Sequence, residues 1–330
     1  MKKYTYLLFL LLNFCASQEK KINGISFVAS DNVVSNEDLK PIVAINANWV
    51  TLMPFAFMKT ENDTTIVFDH ERQWINEKKE GVENSTRLFK NENIKVMLKP
   101  QIWIPRGGFT GHIEMKSEKD WQILEKNYEN FILYFAQIAQ NETCDLFCIG
   151  TELNLFVSKR PEYWRNLIAK IKGIYKGKIT YAENWDTYKN VPFYQELDYI
   201  GIDAYFPLDS SKTASIKTLE KAWQPIKKDI EALSKKYSKN VIFTEYGYQS
   251  RDYTTKEPWN FSENNSINLE AQSNALHALY SEFWIEDWFA GGFLWKWFDD
   301  HENVGGINDN DYTIQNKSAE IIVKNNYAKK

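Results

Sequence analysis

Eight times along this chain a short run rich in β-branched and aromatic residues is followed by a helix-periodic segment or a brief connector, and few folds accept so strict an alternation. The strand-like runs are Gly24 to Ala29, Trp49 to Phe57, Ile94 to Trp103, Asp145 to Glu152, Lys178 to Trp185, Tyr199 to Phe206, Val241 to Tyr248 and Gly291 to Phe298. Between them, Trp121 to Ala139 repeats apolar residues at three and four spacing, as does Ala271 to Trp288. The connector from Tyr188 to Leu197 is short and weakly helical, and the chain ends on a helical stretch from Ser318 to Tyr327. The pattern predicts a single α/β domain, a closed (β/α)8 TIM barrel. An open doubly wound sheet would use fewer strands and offer a glycine-rich phosphate loop, which is absent.

The domain is expected over residues 18–330, after a leader at 1–17 in which Lys2 and Lys3 precede an apolar run from Tyr4 to Phe14. That run is too short to span a bilayer and suits an export signal. Cys15 follows it in a setting resembling the lipobox of bacterial lipoproteins, although Phe14 replaces the usual small residue. A membrane-anchored lipoprotein, periplasmic or on the cell surface, is expected through Cys15, with cleavage after Ser17 and secretion as the competing reading. Cys144 and Cys148 are four apart in an apolar run, ~13 Å in extended chain, so both are read as buried free thiols. The net charge of −4 and the want of a basic stripe disfavour nucleic acid as a partner, and a monomer is expected. No phosphate loop and no HExxH motif is present and the four histidines are scattered, so neither a cofactor nor a catalytic metal is expected.

In such a barrel, chemistry gathers at the carboxyl ends of the strands, and two of those ends are glutamates. The fourth run closes on Ile149-Gly150-Thr151-Glu152 and the seventh on Phe243-Thr244-Glu245. Simple alternation puts Glu152 on the face of Gly150, Cys148 and Leu146, and Glu245 on the face of Phe243 and Val241. If those faces line the lumen, the two carboxyls meet at its mouth, with the ~5–5.5 Å of a retaining glycosidase pair as the expected separation. Like-charge repulsion then keeps one protonated as an acid and leaves the other as an anionic nucleophile.

The segments Ile149-Gly150-Thr151-Glu152-Leu153, Thr180 to Asp186, Leu197 to Phe206 and Thr244-Glu245-Tyr246-Gly247, with Trp295-Lys296-Trp297, resemble glycoside hydrolase family 113. The resemblance implies a clan A barrel acting mainly on β-1,4-mannans, with Glu152 matching the acid/base and Glu245 the nucleophile. One departure is Thr151, where many relatives of the broader clan carry an asparagine that contacts the sugar 2-hydroxyl. Tyr205 resembles the clan tyrosine that hydrogen-bonds the nucleophile.

The remaining cleft candidates are aromatic or polar residues near strand ends, in a chain whose 15% aromatic content exceeds what core filling alone suggests. Trp297 is the preferred sugar platform, Trp295 is as readily core, and Trp103 and Trp185 are further candidates. Lys99 and Asn184 are expected to contact sugar hydroxyls. The substrate expected is β-mannan or manno-oligosaccharide, cut by a retaining endo-β-1,4-mannanase or a β-mannosidase. A β-glucanase or xylanase on the same machinery is one alternative, since mannose and glucose differ only at C2. An inactive glycan-binding envelope lipoprotein is the other.

Overall fold

The computed structural model describes residues 20–260 and 266–329, so the expected leader and Cys15 lie outside the described residues. The barrel strands are β1 (Ile22–Phe27), β2 (Trp49–Leu52), β4 (Lys95–Leu98), β6 (Leu146–Thr151), β7 (Lys178–Asn184), β8 (Ile200–Asp203), β9 (Val241–Tyr246) and β10 (Phe289–Trp297). All neighbours pair in parallel, and β10 closes the ring on β1. The expected (β/α)8 TIM barrel is therefore present.

Two of the anticipated strands are each split by a proline. The run from Trp49 to Phe57 breaks at Pro54 and the run from Ile94 to Trp103 breaks at Pro100, because proline cannot donate to a ladder. Beyond each break the chain resumes as β3 (Phe55–Phe57) and β5 (Gln101–Trp103), which pair in parallel as a two-stranded ribbon standing on the barrel rim.

The helices are α1 (Asn36–Ala44), α2 (Lys79–Asn91), α3 (Glu118–Asn141), α4 (Asn154–Lys159), α5 (Pro161–Ile174), α6 (Ile216–Tyr237), α7 (Leu269–Phe283) and α8 (Ser318–Tyr327). The Ser117 hydroxyl caps α3 by accepting from the Asp120 amide, and the stripe Trp121, Leu124, Tyr128, Phe131, Ile132 and Phe135 is buried as its spacing predicts. The connector between β7 and β8 reduces to two 3-10 turns, Tyr188–Asn190 and Tyr194–Glu196.

The sheet separates two apolar cores. The inner one fills the lumen with side chains contributed almost entirely by strands, among them Ile22, Trp49, Met97, Leu146, Ile242 and Phe293. The outer core packs the other strand faces against the helices and holds Phe27, Phe147, Ile202, Val241 and Phe243. Cys144 and Cys148 are both buried free thiols, Cys148 within the lumen. This partition fixes which face every strand residue takes, and hence which side chains reach the mouth.

Candidate active site

At the carboxyl ends of β6, β9 and β10, simple alternation fails. In β9, Ile242 faces the lumen while Val241 and Phe243 face the helices, so strict alternation would turn Glu245 outward, contrary to the parity expected from the sequence. The register against β8 slips between Ile202↔Phe243 and Asp203↔Glu245, which leaves Thr244 as an extra residue. This bulge turns Glu245 inward beside Asp203.

A comparable slip in β6, where Cys148 pairs Thr180 but Thr151 pairs Ala182, inserts one residue before Glu152. Gly150 does not share the lumen face. A Cβ there would lie 2.8 Å from the Tyr128 hydroxyl and 3.0 Å from both Trp164 and Tyr181, so only glycine passes this close to the outer core. Glu152 itself takes a left-handed backbone, φ 52°, and its amide donates to the Ala182 carbonyl at 2.8 Å. Three local departures thus aim one carboxyl into the mouth: a slip, a glycine and a positive φ.

Glu245 is 8% exposed and both of its oxygens are engaged. Lys99 Nζ donates to Oε1 at 2.6 Å, Gln101 Nε2 donates to the same oxygen at 3.1 Å, and the Tyr205 hydroxyl donates to Oε2 at 2.9 Å. Lys99 also reaches Asp203 at 3.2 and 3.4 Å, and the Thr244 hydroxyl donates to Asp203 at 2.7 Å. Burial disfavours the Lys99 charge, but Asp203 and Glu245 outweigh it and hold its pKa above the ordinary lysine value. Burial pushes Asp203 above the usual carboxylate range although Lys99 pulls it down. Burial, then the Glu245 charge, raises the Tyr205 phenol, which keeps it a donor.

Glu152 has a contrasting environment. The residue is half-buried, and among the described residues no donor hydrogen-bonds its carboxyl. Burial raises its pKa well above the usual value, and the charges of Asp203, Glu245 and Glu183 add to the effect while Lys99 opposes it. The fields of the two glutamates therefore reach one another, as expected of groups sharing one cleft.

The other sequence candidates divide. Lys99, expected to bind sugar, is fully buried and spends its ammonium on Asp203 and Glu245. Trp297, the preferred platform, is fully buried on the outer face. One residue separates Ile25 from Phe27 where two separate their partners Leu294 and Trp297, and the slip turns Trp297 away from the lumen and stacks it on His301 at 5.3 Å. Trp295, on the parity of the lumen residue Phe293, stays partly exposed at the mouth against Gly247. Asn184 is half-buried on the parity of Ala182 and donates to Asp186 at 3.0 Å. Trp185 stacks on Trp259 at 4.8 Å, and Trp103, 53% exposed, edges a shallow groove of about 420 Å³ with Phe57 and Pro105.

Gln101 and Trp259 escaped the sequence reading. The polar pair Lys99 and Gln101, spaced by two in an apolar run, was a usable signal for Gln101. Trp259 had none, because loops carry no periodicity. Among the described residues no group of three His, Cys, Asp or Glu side chains could hold a metal ion.

Residues 29–317 match the model of Glycoside Hydrolase Family 113. Among solved structures, the chain is similar to the family 113 β-mannanase AaManA from Alicyclobacillus acidocaldarius, at 22% identity and TM-score 0.82 over 94% of this chain and 97% of that one. A family 113 β-1,4-mannanase matches at 24% identity and TM-score 0.82, over 94% of this chain and all of the other. A β-glucuronidase from Ruminococcus gnavus follows at 14% identity and TM-score 0.62, covering 94% of this chain and 50% of that one. At these identities the solved structures speak for the fold, and no curated protein matches. A barrel with this family match is a glycoside hydrolase. The chain belongs to glycoside hydrolase family 113.

Proposed function

We propose that the protein hydrolyses β-1,4-mannosidic bonds with retention of configuration, using Glu245 as nucleophile and Glu152 as acid/base. The observation that carries this reading is the asymmetry between the two carboxyls. Glu245 is fixed by three donors, whereas Glu152 lacks a donor and is pushed toward its protonated form. An oriented anion and a neutral acid are the two groups that double displacement needs.

In the first step a Glu245 oxygen bonds to the anomeric carbon as the bond to the leaving sugar oxygen breaks, and that oxygen takes the Glu152 proton. In the second, the Glu152 carboxylate accepts a proton from water, the water oxygen bonds to the anomeric carbon, and Glu245 leaves. Trp295 offers a partly exposed ring at the mouth for the sugar face. Tyr205, Lys99 and Gln101 act on the nucleophile rather than on the sugar.

The choice of mannan rests on the family and on the β-mannanase activity for which its solved members are named. A panel of mannan, glucomannan, β-glucan and xylan tests it, with the first product anomer followed by proton NMR. Mannan cleavage releasing the β-anomer first, and lost in Glu245→Ala, is expected. Release of the α-anomer first would overturn the mechanism, and preference for another polymer would overturn the substrate. Export with a lipid on Cys15 belongs to the same reading, and radiolabelled palmitate incorporation that disappears in Cys15→Ala tests it.

A further inference from the structure

One buried carboxyl near the mouth has no place in that mechanism. Glu183, at the end of β7, is 1% exposed and is met entirely by neutral donors. The Asn184 amide and the Thr187 hydroxyl each donate to its Oε1 at 2.9 Å, and the Tyr181 hydroxyl donates to Oε2 at 3.2 Å. The Tyr181 oxygen then accepts the backbone amide of Leu153 at 2.8 Å, and Leu153 directly follows Glu152.

The left-handed turn at Glu152 is therefore pinned on both sides. The Glu152 amide bonds the Ala182 carbonyl, the Leu153 amide bonds Tyr181, and further back the Tyr128 hydroxyl bonds the Ile149 carbonyl at 2.8 Å. Without Glu183 the Tyr181 proton has no acceptor, and the hydroxyl is free to rotate that proton into the Leu153 amide it must accept from. A carboxylate in this position fixes the direction of the whole relay.

The geometry points to Glu183 as the positioning residue for Glu152, acting through Tyr181 on the Leu153 amide to hold the turn that aims the acid/base. The inference rests on the proposed role of Glu152. It is not met by a purely structural carboxyl, because Glu183 also acts on Glu152 through its charge. The titratable groups around Glu183 are Tyr181 on its own strand, Asp186 in the next turn, Tyr194 on the connector and Glu152 beyond β6, none of them cationic. Burial lifts Glu183 to about 6, against the pull of its three donors. Above that pH its anion disfavours ionisation of Glu152 and so keeps the acid protonated to higher pH.

The test uses Glu183→Gln and Tyr181→Phe in the full chain. Glutamine keeps the shape and still accepts from Asn184 and Thr187, but its Nε2 faces Tyr181 and cannot accept, so the charge and the acceptor of the relay are removed together. Two readouts are taken: the pH profile of kcat/KM on whichever oligosaccharide series the wild type cleaves, and the carboxyl carbon-13 titration of Glu152, assigned with Glu152→Gln. Glu183→Gln is expected to lower the Glu152 midpoint and the basic limb together, in the same direction and by the same amount, and to speed exchange of the Leu153 amide. Tyr181→Phe is expected to cut kcat roughly tenfold with less effect on KM, and to speed exchange of the Leu153 amide. An unmoved Glu152 midpoint in Glu183→Gln, or a wild-type kcat and amide exchange rate in Tyr181→Phe, overturns the inference. A wild type that cleaves no glycan defeats the glycosidase reading alone, since the titration and the exchange rate still decide the role of Glu183.

Discussion

Replacing Lys99 by methionine removes the ammonium that touches both Asp203 and Glu245 while keeping most of the volume. Asp203 is 1% exposed and Glu245 8%, so solvent does little to replace the lost partner. Removing one side of a buried ion pair costs about 3–5 kcal/mol. With roughly 2.1 cal/mol/K of unfolding entropy per residue over 330 residues, that is a fall in Tm of about 4–7 °C.

The loss depends on pH, and the sign can be worked out. In the variant Asp203 loses the group that opposed its burial, so its folded pKa rises further above the unfolded value. A folded state that binds more protons than the unfolded one loses stability as pH rises, at up to about 1.4 kcal/mol per pH unit for each such group. Lys99 in the wild type has a raised pKa, so its own contribution is complete at all pH values below the ordinary lysine range and does not vary between pH 5 and 8. The gap between wild type and variant should therefore narrow on going from pH 8 to pH 5. Urea denaturation at both values measures it. A loss below ~1 kcal/mol at pH 7, or a gap equal at the two pH values, would refute the reasoning.

Tyr205→Phe removes the donor on Glu245 Oε2 and should lower kcat/KM by roughly 10²-fold while shifting Tm little, read by steady-state kinetics and calorimetry on one preparation. Trp295→Ala should raise KM for oligosaccharides, whereas Trp297→Ala should cost about 3–5 kcal/mol of stability by opening a cavity; thermal melts and inhibition by oligosaccharide separate the two. Gly150→Ala should destabilise by about 1–3 kcal/mol, because the Tyr128, Trp164 and Tyr181 atoms that crowd the new methyl belong to packed rings, and it should depress kcat by tilting the Glu152 turn.

The barrel was legible in the sequence because each strand is bounded by a change of period, and period survives any local irregularity. The two glutamates were legible for a coarser reason: a carboxyl closing an apolar run is conspicuous. The route by which they reach the mouth was not. Alternation assigned Glu245 to the face of Phe243, which in fact packs against Trp223, Phe283 and Phe289 outside the ring. Thr244 carries no mark that makes it an extra residue, since a bulge depends on how neighbouring strands meet and leaves no signature in one strand. The same blindness exchanged Trp295 for Trp297. Lys99 was expected to meet sugar hydroxyls, whereas it is buried against counter-ions on β8 and β9, because a buried lysine declares itself only when such partners are brought round to it.

The ribbon of β3 and β5 stands apart from the ring because Pro54 and Pro100 each sever it from the strand below. Its inner end delivers Gln101 to Glu245, and its outer end carries Trp103 into solvent. Such an appendage is modular: residues added or removed around its outer end, beyond Gln101, reshape the rim while the eight-membered ring beneath keeps its closure. A change at its outer end leaves all three donors on Glu245 in place only while Gln101 keeps its register against Phe55.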